Sequence, residues 1–202
     1  MAFSELNVDV FRLINDLGKE YSYVNSLFIF LAEYMVYFLA LAVLLFWFTR
    51  KNNNRMMILC GGITFLFAEI FGKIAGLIHS NNQPFAELPN VNQLIVKTVD
   101  NSFPSDHTIL FFSFCMIFML FKKRGGFIWI ILAILVGLSR IWVGVHYPAD
   151  VAVGAIISIV AAVIVYITVP NLSIINKALV LYEKGEGYIL PERKRNRISK
   201  FD

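Results

Sequence analysis

Two short stretches hold most of the reactive side chains of the chain. One is Pro104-Ser105-Asp106-His107; the other is Ser139-Arg140, followed after five residues by His146 and after three more by Asp150. Asp150 lies four positions beyond His146, around a proline that opens a helix, so its carboxylate can reach back to one imidazole nitrogen. That contact fixes the tautomer, leaves the other nitrogen as a nucleophile and stabilises the cation formed on attack. His107 supplies a second imidazole, able to protonate a departing oxygen. Arg140 offers a planar fork of donors suited to phosphate, and Ser105, Ser139 and nearby amides add more. The set fits phosphoryl transfer through a phosphohistidine. No metal is required, since a guanidinium and helix-terminal amides take over charge stabilisation.

Other chemistry is open to some of these groups. Two histidines and an aspartate are an incomplete zinc set. Arg140 could serve only as an ion-pair partner of Asp150 or Glu69. Glu33, Glu69 and Lys73 could form a proton relay in a transporter. Glu69 and Lys73 are four apart and so also suit a plain structural pair.

The elements that must position these residues are apolar. Of 202 residues, 58% are hydrophobic and 16% charged. Five apolar stretches, 24–48, 56–78, 104–121, 127–145 and 148–169, approach or reach the roughly 20 residues needed to cross a bilayer. The expectation is an all-α polytopic membrane bundle of about five transmembrane helices. Residues 1–23 form an N-terminal amphipathic segment, with Leu6, Val10, Leu13, Ile14 and Leu17 on one helical face. Residues 24–170 form the membrane domain, and 171–202 a basic tail. Cys60 and Cys115 lie in separate spans and suit small apolar filling.

A net charge of +4 does not point to nucleic acid, because its placement follows the membrane. Arg50, Lys51, Arg55, Lys122, Lys123 and Arg124 flank one set of span ends. Lys177, Lys184, Arg193, Lys194, Arg195, Arg197 and Lys200 follow the fifth span on the same side. Arg12, Lys19 and Lys97 are the basic residues of the other side. The positive-inside rule then places the C-terminus in the cytoplasm and both polar stretches outside. Pro104 is expected to open the third span, leaving the amides of Ser105, Asp106 and His107 as free donors for an anion.

Pro-Ser-Asp-His at 104–107 and Ser-Arg-x5-His-x3-Asp at 139–150 resemble the second and third signature motifs of the type 2 phosphatidic acid phosphatase superfamily. The flanks Asp100-Asn101-Ser102-Phe103 and Ile141-Trp142-Val143-Gly144-Val145 extend the likeness. It is nearest to the bacitracin-resistance undecaprenyl-diphosphate phosphatases of bacilli. The resemblance implies His146 as nucleophile, Asp150 as its orienting partner and His107 as acid. It also implies phosphate binding by Arg140, Ser105 and Ser139, no metal, and a lipid-linked phosphate substrate outside the membrane. A phosphatidylglycerophosphate or phosphatidate phosphatase, or a non-catalytic component of lipid or bacitracin export, are the alternatives. The family's first motif, lysine and six residues before arginine-proline, is incomplete: Gln83 holds the arginine position and Gly76 the lysine position. Lys73, one turn earlier, is the expected substitute, with Lys97, His79 and Asn82 as further candidates. Asp106 replaces the usual glycine of the second motif, as is typical of the undecaprenyl branch, and counts with Gln83 among the candidate phosphate-site residues.

Overall fold

A computed structural model describes residues 2–122 and 124–189; the basic residues expected at 193–200 and Lys123 lie outside them. The regular elements among the described residues are helices: α1 (Ala2–Asn15), α2 (Leu17–Glu20), α3 (Asn25–Glu33), α4 (Met35–Phe48), α5 (Asn52–Ile78), α6 (Pro84–Glu87), α7 (Asp106–Phe121), α8 (Phe127–Trp142), α9 (Pro148–Thr168) and α10 (Ser173–Ile189). Short 3-10 turns precede α3 and follow α9. This is the all-α bundle the hydropathy predicts.

Helix α7 is central, packed against α5, α8 and α9. Its Phe111, Cys115, Ile117 and Phe118 meet Met57 and Cys60 of α5, Ala133 and Val136 of α8, and Ala162 and Val165 of α9 in one buried cluster. Both cysteines are free and buried. On the outside, α5 exposes Leu66, Phe67, Ile70 and Phe71, and α9 exposes Ile156, Val160 and Ile164. An apolar interior wrapped in an apolar exterior is stable only in lipid.

The five expected spans differ in length. Asn52–Ile78 and the run Pro148–Asn171 are long and apolar enough to cross a membrane unaided. The first expected span is broken: α3 and α4 meet at 45° around Tyr34. Helices α7 and α8 have 16 residues each, about 24 Å of rise, short of the roughly 30 Å hydrocarbon thickness. Their missing length is the polar part. Helix α7 begins at Asp106 rather than Pro104, and α8 stops at Trp142 rather than Val145. The residues with chemistry therefore sit in caps and turns at one end of the bundle.

That end is roofed by α1, α2 and the 79–105 connection. The opposite end is tied to α10 through Arg55, which is buried against the rings of Trp47 and Tyr182. Its guanidinium pairs with Glu186 at 2.6 Å and Glu183 at 3.4 Å.

Candidate active site

The turn between α8 and α9 is built by two special residues. Gly144 has φ +84°, and an added Cβ would lie 2.9 Å from the Asn92 carbonyl and 2.8 Å from Val91. Left-handed backbone and close approach both call for glycine. Pro148 then occupies the first position of α9 and keeps Tyr147 extended, at φ −78° and ψ 157°. Between them the amides of Val145 and His146 both donate to the Arg140 carbonyl, at 3.2 and 3.3 Å. The turn therefore fixes His146 relative to Arg140 through main chain alone.

Asp150, 1% exposed, is the hub of this turn. Its Oδ2 accepts the Tyr147 amide at 2.8 Å and a short hydrogen bond from the Ser102 hydroxyl. It stands 3.5 Å from His146 Nδ1. The nearer partner of Nδ1 is the Ser102 carbonyl, at 2.9 Å. A carbonyl only accepts, so Nδ1 carries the proton and Nε2 keeps its lone pair. The tautomer expected from Asp150 is thus set mainly by Ser102, with Asp150 adding charge from slightly further away. Burial lowers the His146 pKa from 6.5; Asp150 opposes this shift, and Arg140 and Lys97 reinforce it. At neutral pH the imidazole is uncharged and held in one orientation.

Arg140 closes α8, where a cation complements the helix dipole. It is 3% exposed, and one terminal nitrogen donates to the Ala32 carbonyl at 2.9 Å. That carbonyl is near the end of α3, where the break before α4 leaves late carbonyls without their usual helical partners. Arg140 Nε is buried and has no hydrogen-bond partner. A cavity of about 500 Å³ opens here, lined by Arg140, His107, Lys97 and Glu33 together with Ala32, Tyr34, Val36, Tyr37, Ile95 and Val96. Ser105 caps the neighbouring α7, its Oγ buried and unpartnered. An unsatisfied buried donor on Arg140, beside Lys97 in the same cavity, is what an oxyanion would complete.

Several expectations need correction. The Ser105 amide is not a free donor; it is spent on the Asp150 carbonyl at 3.1 Å. The Ser139 hydroxyl donates to Val136 of its own helix at 2.6 Å, so that donor is committed. Lys73 is not brought to the cavity. Its side chain is 76% exposed, 3.9 Å from Glu69, and it lines a separate recess with Asp106, Gly76 and Asn101. Asp106 accordingly lines that recess and not the cavity of its neighbour His107 and Arg140. Gln83 is fully buried and exchanges hydrogen bonds with Asp100, its Oε1 accepting the Asp100 amide at 3.0 Å.

Of the candidate replacements for the first-motif cation, Lys97 lines the cavity with His107 and Arg140. It lies 3.7 Å from Asp100, which Gln83 holds in place. Burial lowers its pKa from 10.5, against the raising influence of Asp100. The absence of lysine at position 76 also has a cause: a Cβ there would lie 2.7 Å from the Phe103 carbonyl. The 101–103 strand of chain that carries Ser102 crosses α5 at that point, with Asn101 Nδ2 donating to the Gly76 carbonyl at 3.1 Å. Ser102 and Ala32 are the participants that sequence reasoning missed. Ser102 appeared only as motif flank, and Ala32 acts through an oxygen common to every residue.

A cavity lined by an arginine, a lysine and a histidine, with a second, buried histidine close enough to feel their charge, agrees with the PAP2 superfamily, whose model matches residues 81–174. The chain belongs to that family and is a multi-pass membrane phosphatase of it. Among curated proteins it is 57% identical to the bacitracin transport permease protein BcrC of Bacillus licheniformis, over 97% of each chain. It is 33% identical to the undecaprenyl-diphosphatase BcrC of Bacillus subtilis (strain 168), covering 77% of this chain and 80% of that one. The crystal structure of Aquifex aeolicus LpxE matches with a TM-score of 0.66 at 27% identity, covering 80% of this chain and 94% of that chain.

Proposed function

We propose that the protein removes the terminal phosphate of undecaprenyl diphosphate, giving undecaprenyl phosphate and inorganic phosphate. His146 Nε2 attacks the terminal phosphorus, and the bond to the bridging oxygen breaks. His107, protonated, gives its proton to that oxygen as undecaprenyl phosphate departs. Water then attacks the phosphohistidine, losing a proton to His107, and phosphate leaves with His146 restored. Arg140, Lys97 and Ser105 hold the phosphoryl oxygens through the transfer. No metal enters either step. The reading is carried by one observation: His146 Nδ1 is engaged by the Ser102 carbonyl, leaving Nε2 as a lone pair on an imidazole that feels the charges of Arg140 and Lys97.

The substrate assignment draws on the likeness to the Bacillus subtilis undecaprenyl-diphosphatase. An apolar wall of Tyr34, Val36, Tyr37 and Val96 next to the charged end of the cavity suits a diphosphate on a long lipid chain. The site faces outside the bacterial plasma membrane and the C-terminus faces the cytoplasm, in keeping with Arg50, Lys51, Arg55 and Lys122 at the opposite end. Returning the carrier lipid supports cell-wall synthesis, and lowering the diphosphate opposes bacitracin.

The test is purified protein with diphosphate lipid labelled in the terminal phosphate, in excess chelator. Wild type is expected to release phosphate and yield an acid-labile adduct on one imidazole, while His146→Ala gives neither. A His146→Ala protein that still releases phosphate, or an inactive wild type that exports bacitracin, would overturn the proposal. The name of the Bacillus licheniformis relative makes the export arm worth running.

A further inference from the structure

Helix α1 touches the turn that carries His146 at both of its ends. Asn7, Phe11 and Asn15 recur every four residues and so form one stripe along the helix. Asn15, fully buried, donates from Nδ2 to the Trp142 carbonyl at 2.8 Å and to the Asn92 carbonyl at 3.0 Å. Its Oδ1 accepts the Asn92 amide at 2.9 Å. Asn7 Oδ1 accepts the Ala149 amide at 2.9 Å, satisfying a first-turn donor of α9 that has no partner within its own helix. Between them Phe11 is buried against Ile141 and Tyr147, its ring centroid 5.6 Å from that of Tyr147. Trp142 precedes the turn and Ala149 follows it, so the stripe brackets residues 143–148.

The other face of α1 is apolar and open, with Leu6 60% and Leu13 70% exposed. The helix is further pinned to the 79–105 connection by Arg12, which donates to the Pro89 carbonyl at 2.6 Å, and α2 beside it by Lys19, which donates to the Asn90 carbonyl at 2.6 Å. An amphipathic helix of this kind rests at a membrane surface. Here its inward face is spent on the backbone around the nucleophile.

We infer that Asn7 and Asn15 are positioning residues for His146, and that α1 is the strut that sets the imidazole in line with the phosphorus. The inference rests on the reading of His146 as nucleophile. The amides of 143–147 are all bonded within the turn and to its neighbours, so what α1 adds is the placement of the turn's two ends, with Gly144 the pliable point between them. Releasing either end lets the imidazole swing, and misplacement of a reacting group by about 1 Å costs up to roughly 100-fold. Phosphate binding by Arg140, Lys97 and Ser105 does not pass through α1, so substrate affinity is left intact.

The experiment uses the full chain in lipid nanodiscs and follows the rate of adduct formation, KM and the thermal midpoint. Asn7→Ala is expected to slow adduct formation about tenfold at unchanged KM. Asn7→Asp keeps an acceptor for the Ala149 amide and is expected to restore the rate. Asn15→Ala should slow it at least as much; if that variant fails to fold, the two Asn7 variants decide. Wild-type rates in Asn7→Ala, or a loss in Asn7→Ala that Asn7→Asp does not restore, would overturn the inference. An active His146→Ala protein would instead remove the reading beneath it, whereas an inactive one beside an unimpaired Asn7→Ala sinks only the role of α1.

Discussion

Replacing Lys97 by methionine removes a cation from the cavity shared with Arg140 and His107 while keeping most of its apolar volume. The lysine side chain is 24% exposed and already 3.7 Å from Asp100. A full charge about 4 Å from a phosphate oxygen, at an effective dielectric of about 20, is worth about 4 kcal/mol. Partial exposure and sharing with Asp100 reduce this to about 1.4–3 kcal/mol, the usual range for a charge-assisted contact, or roughly 10- to 100-fold in kcat/KM. Lys73→Met is the matched control. That side chain is 76% exposed and 3.9 Å from Glu69, and exposed pairs are worth about 0–1 kcal/mol. The assay is phosphate release from undecaprenyl diphosphate across substrate concentration, with both variants in the same detergent. A Lys73→Met loss larger than that of Lys97→Met, or a Lys97→Met protein indistinguishable from wild type, would refute the assignment of the first-motif cation.

Three further outcomes follow from the geometry. Ser102→Ala removes the hydroxyl that holds Asp150 but keeps the carbonyl on His146; hydrogen bonds to charged groups are worth about 1.5–3 kcal/mol, so kcat should fall tenfold or more at unchanged KM, measured by steady-state phosphate release. Because burial lowers the His146 pKa from 6.5, the neutral nucleophile should survive below that pH, and the acid limb of adduct formation should lie under 6.5. Asp150 acts against that shift, so Asp150→Asn should move the limb to still lower pH while reducing the rate; a limb that moves upward contradicts the electrostatics. Arg55→Ala removes the pair to Glu183, leaves Glu186 with Arg50 alone among the described residues and empties the space beside the Trp47 and Tyr182 rings, so the thermal midpoint should fall by several degrees and α10 should become protease-sensitive. The reaction at the far end of the bundle should be unaffected.

The sequence disclosed the polar stretches because their spacing is tied to regular geometry. His146 and Asp150 are four apart around Pro148, and Arg140 precedes a turn whose glycine and proline can be read directly. What it hid follows from how each residue acts. No glycine or proline interrupts residues 24–48, so hydropathy reads one continuous span and misses the 45° bend. Lys97 lies in a connection with no periodicity, where spacing cannot choose it over Lys73, His79 or Asn82. Ser139 and Ser105 looked alike as hydroxyls, yet one bonds its own helix and the other stays unpartnered. Asn7 and Asn15 carry no sequence signal of their own, because an amphipathic pattern shows polarity and not what that polarity meets. The apolar residues of α1 likewise divide: Val8 and Ile14 pack inward with Phe11, while Leu6 and Leu13 face out.

The grip of Ala32 on Arg140 comes from a peptide oxygen, an atom that every amino acid supplies. Substitution at position 32 therefore cannot delete the anchor, however much the methyl group is varied. Only a change that redraws the path of the chain, such as one that makes the first span continuous through Tyr34, would withdraw it. The guanidinium is thus insured against ordinary genetic drift at its support and exposed to it only through the curvature of a helix.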